Sequence, residues 1–371
     1  MTLRRFAHLV PIVGLLAGLV AGLTRPASAR SAWDQDWSPF VLVAGLLVIG
    51  VVARDDGLFE WWGARLGRAS HRGGVVYVAS ALAVVVVTAL LNLDTAVAFM
   101  TPILVHAARH RDEPVEPWLY ASIVLANAGS LWLPGSNLTN LIVLGHLHGS
   151  GITFAHRLAA PAAVASIVAV LVVLVLGRRT LSRIAPPEPA HPVRGLVGPV
   201  AAAAALGLIL VSSAPALPVF GVALLALALR AAQRRVEVAD VLATVSPGSL
   251  VGLLGVAVAL GVVGRAAGGL DHWLSGQTTV TTVGVAALAS VLVNNLPAAS
   301  VLAAHVPAHP VALLVGLNLG PNLFVSGSLA WILWWRSARA VGVVPRLGVA
   351  LRWGLIVGVS TLVGATLTLV R

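Results

Sequence analysis

The sequence predicts an all-α polytopic membrane protein, with about nine spanning helices, two of them broken, and two re-entrant hairpins arranged in an inverted repeat. Three observations predict it. Of the 371 residues, 58% are hydrophobic and 10% charged, where soluble domains carry about 25% charged residues. Apolar runs fall at 9–23, 39–53, 74–105, 118–145, 157–177, 196–212, 218–229, 245–264, 278–304, 310–335 and 353–370, several near the ~20 residues that a bilayer core demands. Finally, short strings of Asn, Gly and Pro interrupt these runs. Non-helical backbone is tolerated at membrane depth only where it is buried in protein or lines a cavity.

Residues 1–38 are expected to form an N-terminal helix and an external loop. Arg4, Arg5, the apolar run and Ala27-Ser28-Ala29 also resemble a signal peptide, but with so many later spans we read the segment as an uncleaved first helix. Residues 39–177 form a first unit with a hairpin at 74–105 and a broken helix at 118–145. Residues 178–244 form a Pro-rich cytoplasmic linker and a helical pair. Residues 245–371 form a second unit with a hairpin at 278–305 and a broken helix at 310–335.

Length argues for the first hairpin. Residues 75–105 would make a helix of ~46 Å at 1.5 Å per residue, long for one crossing of a ~30 Å core and short for two. The second hairpin rests on the Asn-Asn-Leu-Pro break at 294–297. Arginine placement agrees. With the N-terminus inside and both hairpins returning to their side of entry, nineteen of the 24 arginines fall inside and five outside; if each hairpin run crossed once, the split would be twelve and twelve. The positive-inside rule prefers the first arrangement. In it, "GLFEWW" (57–62) and "NLDTA" (92–96) match "GLDHWL" (269–274) and "NLPAA" (295–299) in the same order but in opposite orientation. That is the inverted repeat of secondary transporters.

Composition narrows the chemistry. The absence of Cys excludes disulfides, thiolate metal sites and thiol catalysis. The net charge of +11 comes from arginines between apolar runs, so the partner is the lipid bilayer and not nucleic acid. No nucleophile elbow, HExxH or P-loop is present. We therefore expect no enzyme and no cofactor, and any ATPase subunit would be a separate chain. The histidines read as interfacial polar groups, and Trp61, Trp62, Trp118, Trp334 and Trp335 as interfacial anchors.

Four polar clusters lie at membrane depth: Asn92, Asp94 and Thr95; Leu133 to Asn140; Val293 to Pro297; and Asn318 to Ser328. The candidate substrate or ion site drawn from them is Asn92, Asp94, Thr95, Ser136, Asn137, Thr139, Asn294, Asn295, Asn318 and Asn322. Gly135 with Pro134, and Gly320 with Pro321, can unwind a helix there and expose N–H groups to an anion or hydroxyl. The amides could equally be N-caps or interhelical ties. Of the thirteen acidic residues, Asp94 alone is expected far from any loop. It could bind a coupling ion (a proton or sodium), cap a hairpin helix, or lie nearer the interface. Charge at the bilayer centre costs ~2.5–3.5 kcal/mol, which favours the first role.

"DDGLFEWWGARLGR", "LNLDTAVAFMTP", "ANAGSLWLPGSNLTNLI", and "NNLPAASVL" followed by "GLNLGPNLFVSGSLAWILWW" resemble the arsenite-permease family, within a superfamily that includes citrate carriers and divalent-anion/sodium symporters. The likeness covers about residues 39–371. It implies a secondary transporter of the bacterial cytoplasmic membrane, N-terminus inside, homodimeric, with an elevator-like hairpin movement and substrate held between hairpin tips and broken helices. Arsenite or antimonite efflux is the leading function. A sodium- or proton-coupled di- or tricarboxylate carrier and a sodium/proton antiporter are the alternatives. The family usually has an acid where Asn318 stands and a base where Asn322 stands.

Overall fold

Helices form where the apolar runs predict them, and a few of their starts are held by side-chain caps, at Asn92, Ser150, Thr278 and Asn294. In this computed structural model the described residues are 3–58, 61, 73–144, 150–178, 194–212, 214–233, 238–267 and 269–370. In chain order the helices are α1 (Leu3–Thr24), α2 (Pro26–Asp55), α3 (Gly73–Leu90), α4 (Leu93–His110), α5 (Val115–Gly129), α6 (Leu138–Leu144), α7 (Gly151–Leu176), α8 (Val197–Val211), α9 (Ala216–Ala232), α10 (Val238–Val245), α11 (Pro247–Ala266), α12 (Leu270–Ser275), α13 (Thr279–Val293), α14 (Asn295–Leu302), α15 (Pro310–Leu319), α16 (Ala330–Ala340) and α17 (Leu347–Leu367). Tight 3-10 turns at Pro134–Ser136 and Gly320–Leu323 interrupt α5–α6 and α15–α16. No strand occurs among the described residues. Four described stretches are long and apolar enough to cross a bilayer by themselves: Pro26–Asp55, Gly151–Leu176, Ala239–Ala266 and Leu347–Leu367. Shorter apolar helices, the hairpin arms and broken halves among them, pack around these.

Both expected hairpins are present. α3 and α4 meet at Leu91–Asn92, where Asn92 accepts a 2.6 Å hydrogen bond from the Thr95 N–H and starts α4. α13 and α14 meet at Asn294, whose φ of 79° lies in a region L-residues rarely adopt. Its side chain holds the bend: Oδ1 accepts from the Leu296 N–H (3.3 Å) and Nδ2 donates to the Ser326 carbonyl (3.1 Å). Pro297 sits in the first turn of α14, where its missing N–H removes no helical bond.

Each hairpin begins and ends at one end of the molecule. At the base of the first, the Tyr77 hydroxyl donates to the Pro117 carbonyl (3.0 Å) and packs edge-on against Trp118, whose indole donates to Glu113 (3.0 Å) just beyond α4. At the base of the second, the His309 ring contacts the Gln277 carbonyl (3.1 Å). α2 orients the two. Gly50 lies against Thr95 and Arg54, one turn on, over the Phe99 ring at 5.5 Å, so α2 and α4 run the same way. At the other end of α2, Gln35 donates to the Ala303 carbonyl (2.8 Å). The two hairpin bases therefore lie at opposite ends of α2. The helices interlock crosswise: α4 packs on α16, and α14 packs on α6.

Three expectations change. The external loop before residue 39 is helical from Pro26, because Ala29 and Ala32 pack with Ala21, Val258 and Val262 into a seam between α1, α2 and α11. Asp36 is thereby buried in a helix, so Asp94 is not alone in lying away from a loop. Trp118 and Trp334 are fully buried and not interfacial, each with a hydrogen-bonded indole: Trp118 to Glu113, and Trp334 to the Leu119 carbonyl (2.8 Å). The amphipathic stretch after α2 is described only at Gly57, Leu58 and Trp61, and Trp62, His146 and His148 lie outside the described residues.

Candidate functional site

Both broken helices carry their asparagines into one buried seam. In the second, Asn318 lies in the last turn of α15, two residues before the Gly320–Leu323 break, and Asn322 inside the break, both without solvent exposure. Asn318 Oδ1 accepts from the Asn137 amide (2.8 Å), and the Ser130 hydroxyl lies 2.7 Å away. Asn318 Nδ2 donates to Asn140 Oδ1 and to the Leu314 carbonyl, both at 2.8 Å. Asn322 Oδ1 accepts from the Asn127 amide (2.9 Å), and its Nδ2 donates to the Val124 carbonyl (3.1 Å). The Asn318 amide thus has a polar neighbour within 2.8 Å at every hydrogen-bonding position, the single Ser130 hydroxyl proton being shared between it and the Asn127 carbonyl at 2.7 Å. These residues tie one broken helix to the other. Asn137 adds a local role, accepting from the Thr139 N–H at 3.3 Å to start α6.

Ser136 belongs to the same knot. Its hydroxyl lies 2.5 Å from the Ser130 carbonyl and 2.6 Å from that of Leu133, while Asn140 Nδ2 donates to the same two carbonyls at 2.7 and 3.0 Å. The turn Pro134–Ser136 thus satisfies carbonyls freed at the end of α5, as buried backbone requires.

Other polar atoms here have no partner. Asn92 Nδ2, Thr95 Oγ1, Thr139 Oγ1 and Ser328 Oγ are buried without a hydrogen bond. An unmet buried polar group costs about 1–3 kcal/mol, and native interiors rarely leave several such groups near helix breaks. Asn92 and Thr95 are on the first hairpin tip, Thr139 on the first broken helix, and Ser328 just after the second break. Asp94 is in the first turn of α4, half-buried, where the helix N-terminus favours a carboxylate. The cap of this helix is Asn92, so Asp94 is not needed to start it. Asn295 is buried, with its backbone N–H donating to the Gly327 carbonyl at 2.8 Å.

Sequence reasoning thus singled out residues of two kinds. Asn137, Asn318 and Asn322, with Ser136, bind one another or nearby backbone; Asn92, Thr95 and Thr139 keep free polar atoms. Sequence reasoning placed Asn140 and Ser328 at the ends of two polar clusters without giving them a role, and it did not select Asn127 and Ser130. The signal was available: Asn127 and Asn140 are amides inside an apolar run, and Asn127 and Ser130 stand three apart, on one helical face. The two hairpins and two broken helices carry no charged side chain at these depths other than Asp94, since no other Asp, Glu, Lys or Arg occurs at 73–108, 117–156 or 272–335, while Arg54 of α2 lies over Phe99, one turn past Thr95. No group of three or more His, Cys, Asp or Glu residues able to hold a metal occurs among the described residues.

The sequence profile of CitMHS, the citrate transporter family, matches residues 4–333. An arsenical pump membrane protein of Escherichia coli is 24% identical over 379 residues, covering 92% of this chain and 86% of that protein. The arsenical pump membrane protein of Escherichia coli strain K12 is 26% identical over 160 residues, which span 42% of this chain and 37% of that relative. The crystal structure of the Alcanivorax borkumensis YdaH transporter, described as having an unusual topology, superposes with a TM-score of 0.60 at 14% identity over 98% of this chain and 96% of that one.

Proposed function

The chain belongs to the citrate transporter family, and from that premise we propose that it is a secondary active transporter that exports arsenite or antimonite across the bacterial cytoplasmic membrane. Membership makes it an ion or anion transporter; the substrate is our reading. One observation carries it. The free buried polar atoms at the hairpin tip and helix breaks are neutral amides and hydroxyls, and none of them is hydrogen-bonded to a cationic side chain. A citrate trianion in such a place would need positive groups to meet its charge. Arsenite at neutral pH is an uncharged trihydroxide, which amides and hydroxyls can hydrogen-bond as donor and acceptor. The arsenical pump names of two relatives support this reading.

In this reading the two units form an inverted repeat, with hairpin bases on opposite faces and substrate held near the midplane. Asp94 carries the coupling ion, proton or sodium. Asn92, Thr95 and Thr139, with Asn294 and Asn295 on the other hairpin, contact the substrate. Asn318, Asn322, Ser136 and Asn137 set the spacing of the two broken helices around it. The working unit is a homodimer. The family's description as citrate transporters keeps a coupled di- or tricarboxylate carrier as the second reading.

Growth on arsenite in a permease-deleted, arsenite-sensitive bacterium tests the substrate. We expect the chain to restore growth; sensitivity unchanged, with the protein present in the membrane, rejects arsenite. Uptake of labelled citrate by inverted and right-side-out vesicles, with and without sodium, then decides the second reading. Asp94→Asn should remove the proton or sodium dependence of whichever flux is found while leaving the protein folded, and an unchanged dependence would take the coupling ion away from Asp94.

A further inference from the structure

A second buried acid lies outside this site. Asp36 is on α2, 1% exposed, and neither carboxylate oxygen has a hydrogen bond. It sits where α2, α11 and the foot of the second hairpin converge. One turn before it, Ala32 packs on Gly261 of α11; one turn further along α11, Gly264 packs on Val301 and Ala304. The residue beside it, Gln35, donates to the Ala303 carbonyl at 2.8 Å.

Among the described residues, the cation near Asp36 is Arg265, and it is occupied elsewhere. Arg265, on α11, donates to Gln35 Oε1 (2.7 Å), to the Gly261 carbonyl (3.1 Å) and to the Ser31 carbonyl (3.4 Å), and makes no ion pair with Asp36 within the described residues. The hairpin segment 295–304 offers no charged or titratable side chain, and the titratable group at its foot, His305, is exposed to solvent and not enclosed with Asp36. Along α2 itself the nearest are Arg30 and Asp34. A carboxylate enclosed in this way, without donors or a bonded counter-ion, is far less costly as the neutral acid.

We propose that Asp36 is a proton-binding site that latches the foot of the second hairpin to α2 and α11: the closed seam requires the proton, and loss of the proton requires the seam to open to water. The linkage is reciprocal. Raising the pH opens the seam, and any movement of the hairpin that hydrates Asp36 releases one proton to the outer face. Nothing in this step depends on the identity of the substrate, so a failure of the arsenite assignment leaves it standing.

The chain has no native Cys, which makes the seam readable. Place a single reporter by Ala303→Cys in the full-length protein in liposomes, and measure its labelling by a water-soluble maleimide against pH, relative to Ala303→Cys with Asp36→Asn. The ratio cancels the pH dependence of the thiol. A single linked proton gives a rise of at most about tenfold per pH unit once the acid ionises. We expect the ratio to rise several-fold toward alkaline pH, and Arg265→Gln, which keeps the acid but removes the nearby positive charge, to move the rise to higher pH. Infrared difference spectra of the wild type should show a protonated carboxyl band that Asp36→Asn removes and Asp94→Asn does not. A flat ratio, or a carboxyl band unaffected by Asp36→Asn, overturns the proposal. If Asp36→Asn fails to insert, the wild-type and Arg265→Gln profiles decide alone: coincident profiles reject the latch.

Discussion

At the scale of single residues, the same side-chain chemistry does opposite jobs within one seam. Asn318 makes four hydrogen bonds across or along the broken helices, whereas the Thr139 hydroxyl makes none. Asn318→Ala would strand the Asn137 amide and the Asn140 carbonyl oxygen in a buried place, at about 1–3 kcal/mol for each unmet group. We expect a clear fall in the thermal midpoint of the purified protein, with transport lost as a consequence. Thr139→Val removes a hydroxyl that already lacks a partner, at nearly constant volume, so stability should hold or rise while transport falls. Measuring midpoint and flux for both variants separates the two roles. A stable Asn318→Ala protein, or an unstable Thr139→Val protein, would reverse our division of the site. Sequence showed that these asparagines were unusual but not which had partners, because the partners lie 178 to 198 positions away and only the fold unites them.

At the scale of elements, what the sequence made legible was periodicity, length and interruption; what it hid was packing. The first hairpin was readable because a run of about 31 apolar residues is too long for one crossing and too short for two, and the second because Asn-Asn-Leu-Pro breaks its run at 294–297. Their arms nevertheless differ from expectation: α4 continues to His110, since helix can run on past the apolar stretch when Arg109 and His110 meet the carbonyl end of the helix dipole. The helical start of α2 was hidden because Ala, Ser and Arg between Pro26 and Asp36 look like a loop until Gly-rich α11 is laid beside them. A further hidden tie joins α2, α8 and α9. Asp56, just past α2, pairs with Arg230 of α9 and accepts from the Gly198 N–H (2.7 Å) in the first turn of α8, with both side chains of the pair nearly excluded from water. Asp56→Ala would leave Arg230 buried without its counter-charge, and breaking such a pair costs about 3–5 kcal/mol. The double change Asp56→Leu with Arg230→Met should cost much less, because no buried charge remains. Denaturation of the two variants in detergent checks the order; equal losses would mean that the pair is not what joins these helices.

At the scale of the whole molecule, the two hairpin bases lie at opposite ends of α2, and we propose that these ends face opposite sides of the membrane. Arg54, Arg194 and Arg230 gather around the Asp56 clamp, and the Tyr120 hydroxyl meets the Arg346 backbone near the base of the first hairpin. Arg265, Gln35 and Ala303 gather at the opposite end. By the positive-inside rule we propose that the first group faces the cytoplasm and the second the outside. His110 and His305, both exposed, mark the two hairpin bases. In sealed right-side-out vesicles, His305→Cys should react with an impermeant maleimide at once, and His110→Cys only after the membrane is permeabilised. In inverted vesicles the order should exchange. If both positions label from one face, the hairpins share an entry side, the two units are not inverted, and the midplane site between them loses its geometric basis even though the helices and their hydrogen bonds would stand as described.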